Sequence, residues 1–77
     1  MQFNVKFFAS LAERTGLTDI TLDAHQLTTV ADVWDRATDH QSRPANTLCS
    51  INLVHARFED HVHDGDEIAF FPPVTGG

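Results

Sequence analysis

The residues of greatest chemical interest are the last two, Gly76 and Gly77, which follow Pro72-Pro73-Val74-Thr75. Two glycines strip the end of the chain of side groups, so a bare backbone can enter a channel too narrow for any other residue, at an entropic cost on ordering. The prolines hold the chain extended and deny it ladder hydrogen bonds, which predicts an arm over residues 72–77 that leaves the fold without turning back. The reactive group at such a tip is the Gly77 carboxylate. A carboxylate is a poor acyl donor because its leaving group would be oxide. Transfer of AMP from ATP supplies a stable leaving group, and a sulfur or nitrogen nucleophile can then attack the anhydride. The sequence offers no Gly-rich loop with Lys to hold ATP, and its single lysine is Lys6. This pattern describes an acyl substrate and carrier that binds no cofactor itself and depends on a separate adenylating enzyme.

The other polar groups are read more plainly. His55, His61 and His63 lack a second cysteine or a fixed ligand spacing, so they are taken as loop histidines and no metal site is expected. Cys49 lies in an apolar stretch without a nearby cation, which describes a buried thiol and not a sulfur relay. Asp64, Asp66 and Glu67 read as a solvated turn, not a catalytic carboxylate pair.

The elements that must position the carboxyl end follow from periodicity. Phe3, Val5 and Phe7 alternate with Gln2, Asn4 and Lys6, predicting a strand over Gln2 to Phe8 with one buried face. Irregular or one-turn helical structure is expected around Leu11 to Arg14, a turn at Gly16, and a second strand through Ile20 and Leu22. Thr28 or Thr29 offers an N-cap, and Val30, Val33, Trp34 and Ala37 recur at helical spacing, predicting a helix from Val30 to Asp39 with Trp34 as its largest core anchor. Leu48 to Val54 reads as one apolar strand in which Ile51 and Leu53 share a face. A turn at Asp64-Gly65 precedes a last strand, Glu67 to Phe71. Phe70 and Phe71 point to opposite faces, so one is core and the other is available to a partner.

One main helix on one face of a mixed sheet is an α+β arrangement of the ubiquitin-like β-grasp kind, with the first and last strands parallel at its centre. The domain spans residues 1–71 and the tail residues 72–77.

Composition bounds the partners. Seventy-seven residues make one small domain, and an apolar fraction of 42% is enough for it to fold. A formal charge of -6 disfavours nucleic acid and anionic membrane surfaces, and favours partners that present basic residues. No apolar run approaches the roughly 20 residues that span a bilayer. With one cysteine and no leader-like start, a soluble cytoplasmic protein is expected.

The run from Asp64 to Gly77 resembles the carboxyl end of the MoaD family, the small subunit of molybdopterin synthase. Val5-Lys6-Phe7-Phe8-Ala9 with Leu11, Glu13 and Gly16, and Ser50-Ile51-Asn52, resemble the family's other segments. Thr38 to Cys49 lacks a family motif, and Leu53 stands where a polar residue is more usual. The resemblance implies that Gly77 is adenylated by an E1-like (MoeB-like) enzyme and converted to a thiocarboxylate with sulfur from a donor protein. It implies that Val74, Thr75 and Gly76 thread into the large (MoaE-like) synthase subunit, with Phe70, Phe71, Pro72 and Pro73 helping to seat the tail. The sulfur acceptor would be cyclic pyranopterin monophosphate, whose dithiolene consumes two charged carriers, and the assembly a heterotetramer. Carriers serving thiamine, cysteine or tRNA thiolation, and ubiquitin-like modifiers, share the fold and the terminal glycines.

Overall fold

Alternation of large apolar and polar side chains shapes the first strand, β1 (Gln2–Phe7), which buries Phe3, Val5 and Phe7 and ends one residue short of the expected Phe8. The structure, a computed structural model, describes residues 1–73. Helix α1 (Ser10–Thr15) occupies the stretch around Leu11 to Arg14 expected to be irregular or one-turn helical. It buries Leu11 and stops at Gly16, whose φ of 77° is the left-handed geometry glycine adopts at little cost. Strand β2 (Asp19–Asp23) then returns antiparallel to β1, with Val5 opposite Ile20.

Helix α2 (Val30–Thr38) is held at its start by a reciprocal cap: the Thr29 hydroxyl accepts from the Asp32 N–H at 3.3 Å, while the Asp32 carboxylate accepts from the N–H groups of Thr28 and Thr29 at 3.0 Å. Val30, Val33 and Trp34 form its buried stripe. It stops one residue before the expected Asp39, because Asp39 and His40 both turn left-handed, at φ 56° and 63°. The Trp34 indole packs edge-on against Phe70 and Phe7, with ring centroids 5.1 and 5.7 Å away, and its N–H donates to the Gln41 carbonyl at 2.8 Å.

The run from Leu48 onward corrects the reading of one strand. It is a hairpin, β3 (Leu48–Ile51) and β4 (Val54–Ala56), turned by Asn52 and Leu53 at φ 51° and 71°. Two positive φ values are what a two-residue hairpin loop needs to match strand twist. Asn accepts that conformation readily. Leu53 does not share a face with Ile51, as expected from alternation, but sits 83% exposed at the tip.

Strand β5 (Glu67–Phe71) completes a five-stranded sheet ordered β2-β1-β5-β3-β4. β1 and β5 are parallel central neighbours and the other pairs are antiparallel. The stripe on α2 joins Phe3, Val5, Phe7, Cys49, Ile68 and Phe70 in one core, and among the described residues no helix covers the opposite face of the sheet.

Candidate functional site

β5 delivers the chain end. Ile68 and Phe70 lie opposite Val5 and Phe7 in register and point to the helix side, where both are fully buried. Phe70 stacks on Phe58 at 5.9 Å, and Arg43 closes the stack with its guanidinium carbon 3.7 Å from the Phe58 centroid. Phe70 therefore cannot be a partner contact. Of the two phenylalanines, Phe71 is the one on the open face, half-buried and paired in register with Leu48 of β3.

Register places a row of residues across the open face: Asp19, Lys6, Ala69, Ser50 and His55, one from each strand. Ala69 and Ser50 are small and buried among larger neighbours. Lys6 is held by Glu67, Nζ to Oε1 at 3.3 Å. His55, read from sequence as a loop histidine, is on edge strand β4, with its ring 5.5 Å from the Phe71 ring and 80° to it. Phe8 lies just past β1, out of phase with buried Phe7, and is 49% exposed while its N–H continues the ladder to the Phe70 carbonyl at 3.1 Å. Phe8, Leu48 and Phe71 thus give the sheet an apolar end at the point where the chain leaves β5.

Sequence reasoning did not name Phe8, Leu48 or His55 as site residues. Phe8 was legible from its alternation with Phe7, but Leu48 and His55 needed the strand register.

Pro72 and Pro73 follow Phe71 and line a groove of about 480 Å³ with Leu11, Arg14, Pro44 and Thr47. Val74, Thr75, Gly76 and Gly77, the expected threading residues and carboxylate bearer, lie outside the described residues.

The remaining groups have structural roles. The Cys49 thiol is buried and donates to the Ala56 carbonyl at 3.3 Å. Burial, helped by the Asp60 charge, pushes its pKa up to about 11, the reverse of an activated thiol. The acidic turn is tied into the fold more firmly than a solvated loop. Asp64 accepts from the Gln2 N–H at 2.7 Å, and Asp66 accepts from the His63 N–H at 2.7 Å and from Asn52 Nδ2 at 2.9 Å. Among the described residues, no group of three His, Cys, Asp or Glu side chains stands close enough to hold a metal ion, and no helix is long and apolar enough to cross a membrane.

A mixed sheet with parallel central strands, a helix across one face, and a carboxyl end issuing from the middle strand define a ubiquitin-like β-grasp domain. The chain belongs to the ThiS family, whose model matches residues 5–77. It is 38% identical over 79 residues to the molybdopterin synthase sulfur carrier subunit of Escherichia coli (strain K12), covering 95% of this chain and 96% of that protein. Among solved structures it is similar to SAMP1 from Haloferax volcanii, with a TM-score of 0.80 and 27% identity over all of both chains. It is also similar to the H. volcanii small archaeal modifier protein 1, with a TM-score of 0.74 and 28% identity over 95% of this chain and 98% of that one. The resemblance to the MoaD family and the β-grasp fold read from the sequence are both borne out.

Proposed function

We propose that this chain is the sulfur carrier subunit of a molybdopterin synthase. The observation that carries the reading is its 38% identity, over almost the whole of both chains, to a subunit of that name. The chemistry follows from the terminal carboxylate. An E1-like enzyme joins the Gly77 carboxylate to the α-phosphate of ATP and releases pyrophosphate. Sulfide delivered by a donor protein attacks the acyl carbon, forming the C–S bond of a thiocarboxylate as the bond to AMP breaks and AMP leaves. The thiocarboxylate sulfur bonds to a carbon of cyclic pyranopterin monophosphate in the large subunit, water cleaves the resulting thioester and returns the Gly77 carboxylate, and two carriers complete one dithiolene.

This chain's part is positioning. Phe71 and the apolar end of the open face, with Phe8 and Leu48, seat on the protein that takes the tail, while Pro72 and Pro73 direct residues 74–77 toward it. Gly76 and Gly77 add no side chain to obstruct a narrow channel. The setting is the cytoplasm, and the assembly is a heterotetramer with one carrier at each end of a dimer of large subunits.

The test is intact mass after incubation with ATP, the cognate activating enzyme and a sulfur donor. One oxygen replaced by one sulfur supports the carrier. No exchange with a competent enzyme set overturns it. Isopeptide adducts on lysines of other proteins, without sulfur gain, would instead assign the chain to protein modification, the role carried in the name of the small archaeal modifier protein.

A further inference from the structure

We infer that Arg43 is a positioning residue: lying over the Phe58 ring, it fixes the loop beside Pro72 and Pro73 and so sets the direction in which the chain leaves the sheet. This rests on the reading of the chain as a sulfur carrier. The groove of about 480 Å³ at that exit is lined from α1 by Leu11 and Arg14, from residues 41–47 by Pro44 and Thr47, and from the chain end by Pro72 and Pro73.

Residues 41–47 belong to no helix or strand, yet they are held at three points. At the start, the Gln41 carbonyl accepts from the Trp34 indole N–H at 2.8 Å. At the end, the Thr47 N–H and hydroxyl both donate to the Pro44 carbonyl, at 3.2 and 2.6 Å, closing a turn in which Asn46 takes a φ of 68°. Between them the Arg43 guanidinium carbon lies 3.7 Å from the Phe58 centroid. Among the described residues Arg43 forms no ion pair, which leaves the ring as its anchor. Because a proline follows, the Arg43 backbone is kept out of the helical region, so pinning its side chain also places the Pro44 ring.

The same ring ties this loop to the strand that delivers the tail. Phe58 stacks on Phe70 of β5 with centroids 5.9 Å and planes 12° apart, and Phe70 stands just before Phe71-Pro72-Pro73. Loop and chain end are therefore referenced to one stack. Without the cation over Phe58, residues 41–47 sample other positions and only a fraction of molecules present the exit in its binding-competent arrangement. Apparent affinity falls in proportion to that fraction. A cation–π contact at an exposed site accounts for a change of about 2- to 5-fold. The effect falls on KM for the carrier and not on kcat, because the bound state is the same.

The experiment measures KM and kcat of the sulfur-loaded full chain with the cognate large synthase subunit, and amide hydrogen exchange of the free chain. Arg43→Gln should raise KM about 2- to 5-fold at unchanged kcat. It should also speed exchange of the Thr47 N–H, which bonds to Pro44, and spare the Asn52 N–H, which bonds to Glu67. Arg43→Lys, which keeps a cation for the ring, should recover most of the loss. In a Phe58→Leu background Arg43→Gln should add nothing to KM. Arg36→Gln, on exposed α2 surface outside the groove, should match the wild type. An undiminished KM effect in the Phe58→Leu background would make Arg43 a direct partner contact and overturn the inference. An unchanged KM with faster Thr47 exchange overturns it too, and so does unchanged Thr47 exchange, whatever the assay gives. Both of these leave the carrier reading intact. No sulfur transfer by the wild type in a competent assay overturns the carrier reading and this inference together.

Discussion

Asn52 closes on both main-chain groups of Glu67: its N–H donates to the Glu67 carbonyl at 2.8 Å, and its Oδ1 accepts from the Glu67 N–H at 2.9 Å. The same side chain donates through Nδ2 to Asp66 at 2.9 Å. A left-handed residue at the tip of one hairpin thus fastens the start of the central strand that leads to the carboxyl end. Asn52→Ala is expected to lose about 1–2 kcal/mol in urea denaturation. Leu53→Gly, which relieves the left-handed strain of an exposed side chain, should hold or raise stability by up to about 1 kcal/mol. A neutral Asn52→Ala would show the latch to be energetically empty.

The α2 cap makes a pH prediction. Hydrogen bonds from the Thr29 and Thr28 N–H groups hold the Asp32 carboxyl below its ordinary value of 3.8. Because the folded state favours the ionised form, this stabilisation is present above the ordinary value and is lost as pH falls through the lowered one. Urea midpoints taken from pH 7 down to pH 2.5 should fall more for the wild type than for Asp32→Asn. Parallel curves would remove the cap from the account of acid sensitivity.

Cys49 should be inert while the fold is intact. Its raised pKa of about 11, set first by burial, means the folded state favours the neutral thiol, so the associated stability is complete below 9.0 and lost as pH rises toward 11. At pH 8 a thiol reagent followed by mass spectrometry should label the urea-unfolded chain and spare the native one. Cys49→Ala is expected to lose about 1 kcal/mol and still accept sulfur at Gly77. Failure of that folded variant to load would make the thiol a relay after all.

The bare tip is tested by lengthening or loading it. One residue added after Gly77, or Gly76→Phe, should lower molybdopterin formation in a reconstituted synthase assay by at least about 100-fold, with an unchanged circular dichroism spectrum. Normal yield from either variant would rule out a narrow channel.

Much of this protein was legible in the chain. The period of two over Gln2 to Phe7, the Asp64-Gly65 turn before the last strand, the helical spacing of Val30, Val33 and Trp34, and the Thr29 to Asp32 cap are local signals, and local sterics and hydrogen bonding realised them. The lack of side chains at Gly76 and Gly77 after Pro72-Pro73 was likewise legible without reference to any fold, because it is a property of the residue types alone. Three features were decided only by packing in three dimensions. Alternation puts Phe70 and Phe71 on opposite faces but does not say which face α2 will cover, and it is the contact with Trp34 that makes Phe70 core. The hairpin within the Leu48 to Ala56 run is hidden by its apolar composition, and is set where Asn52 can reach Glu67, fifteen residues away in the chain. His55 meets Phe71, and Lys6 meets Glu67, because strand register brings together residues that no sequence spacing relates.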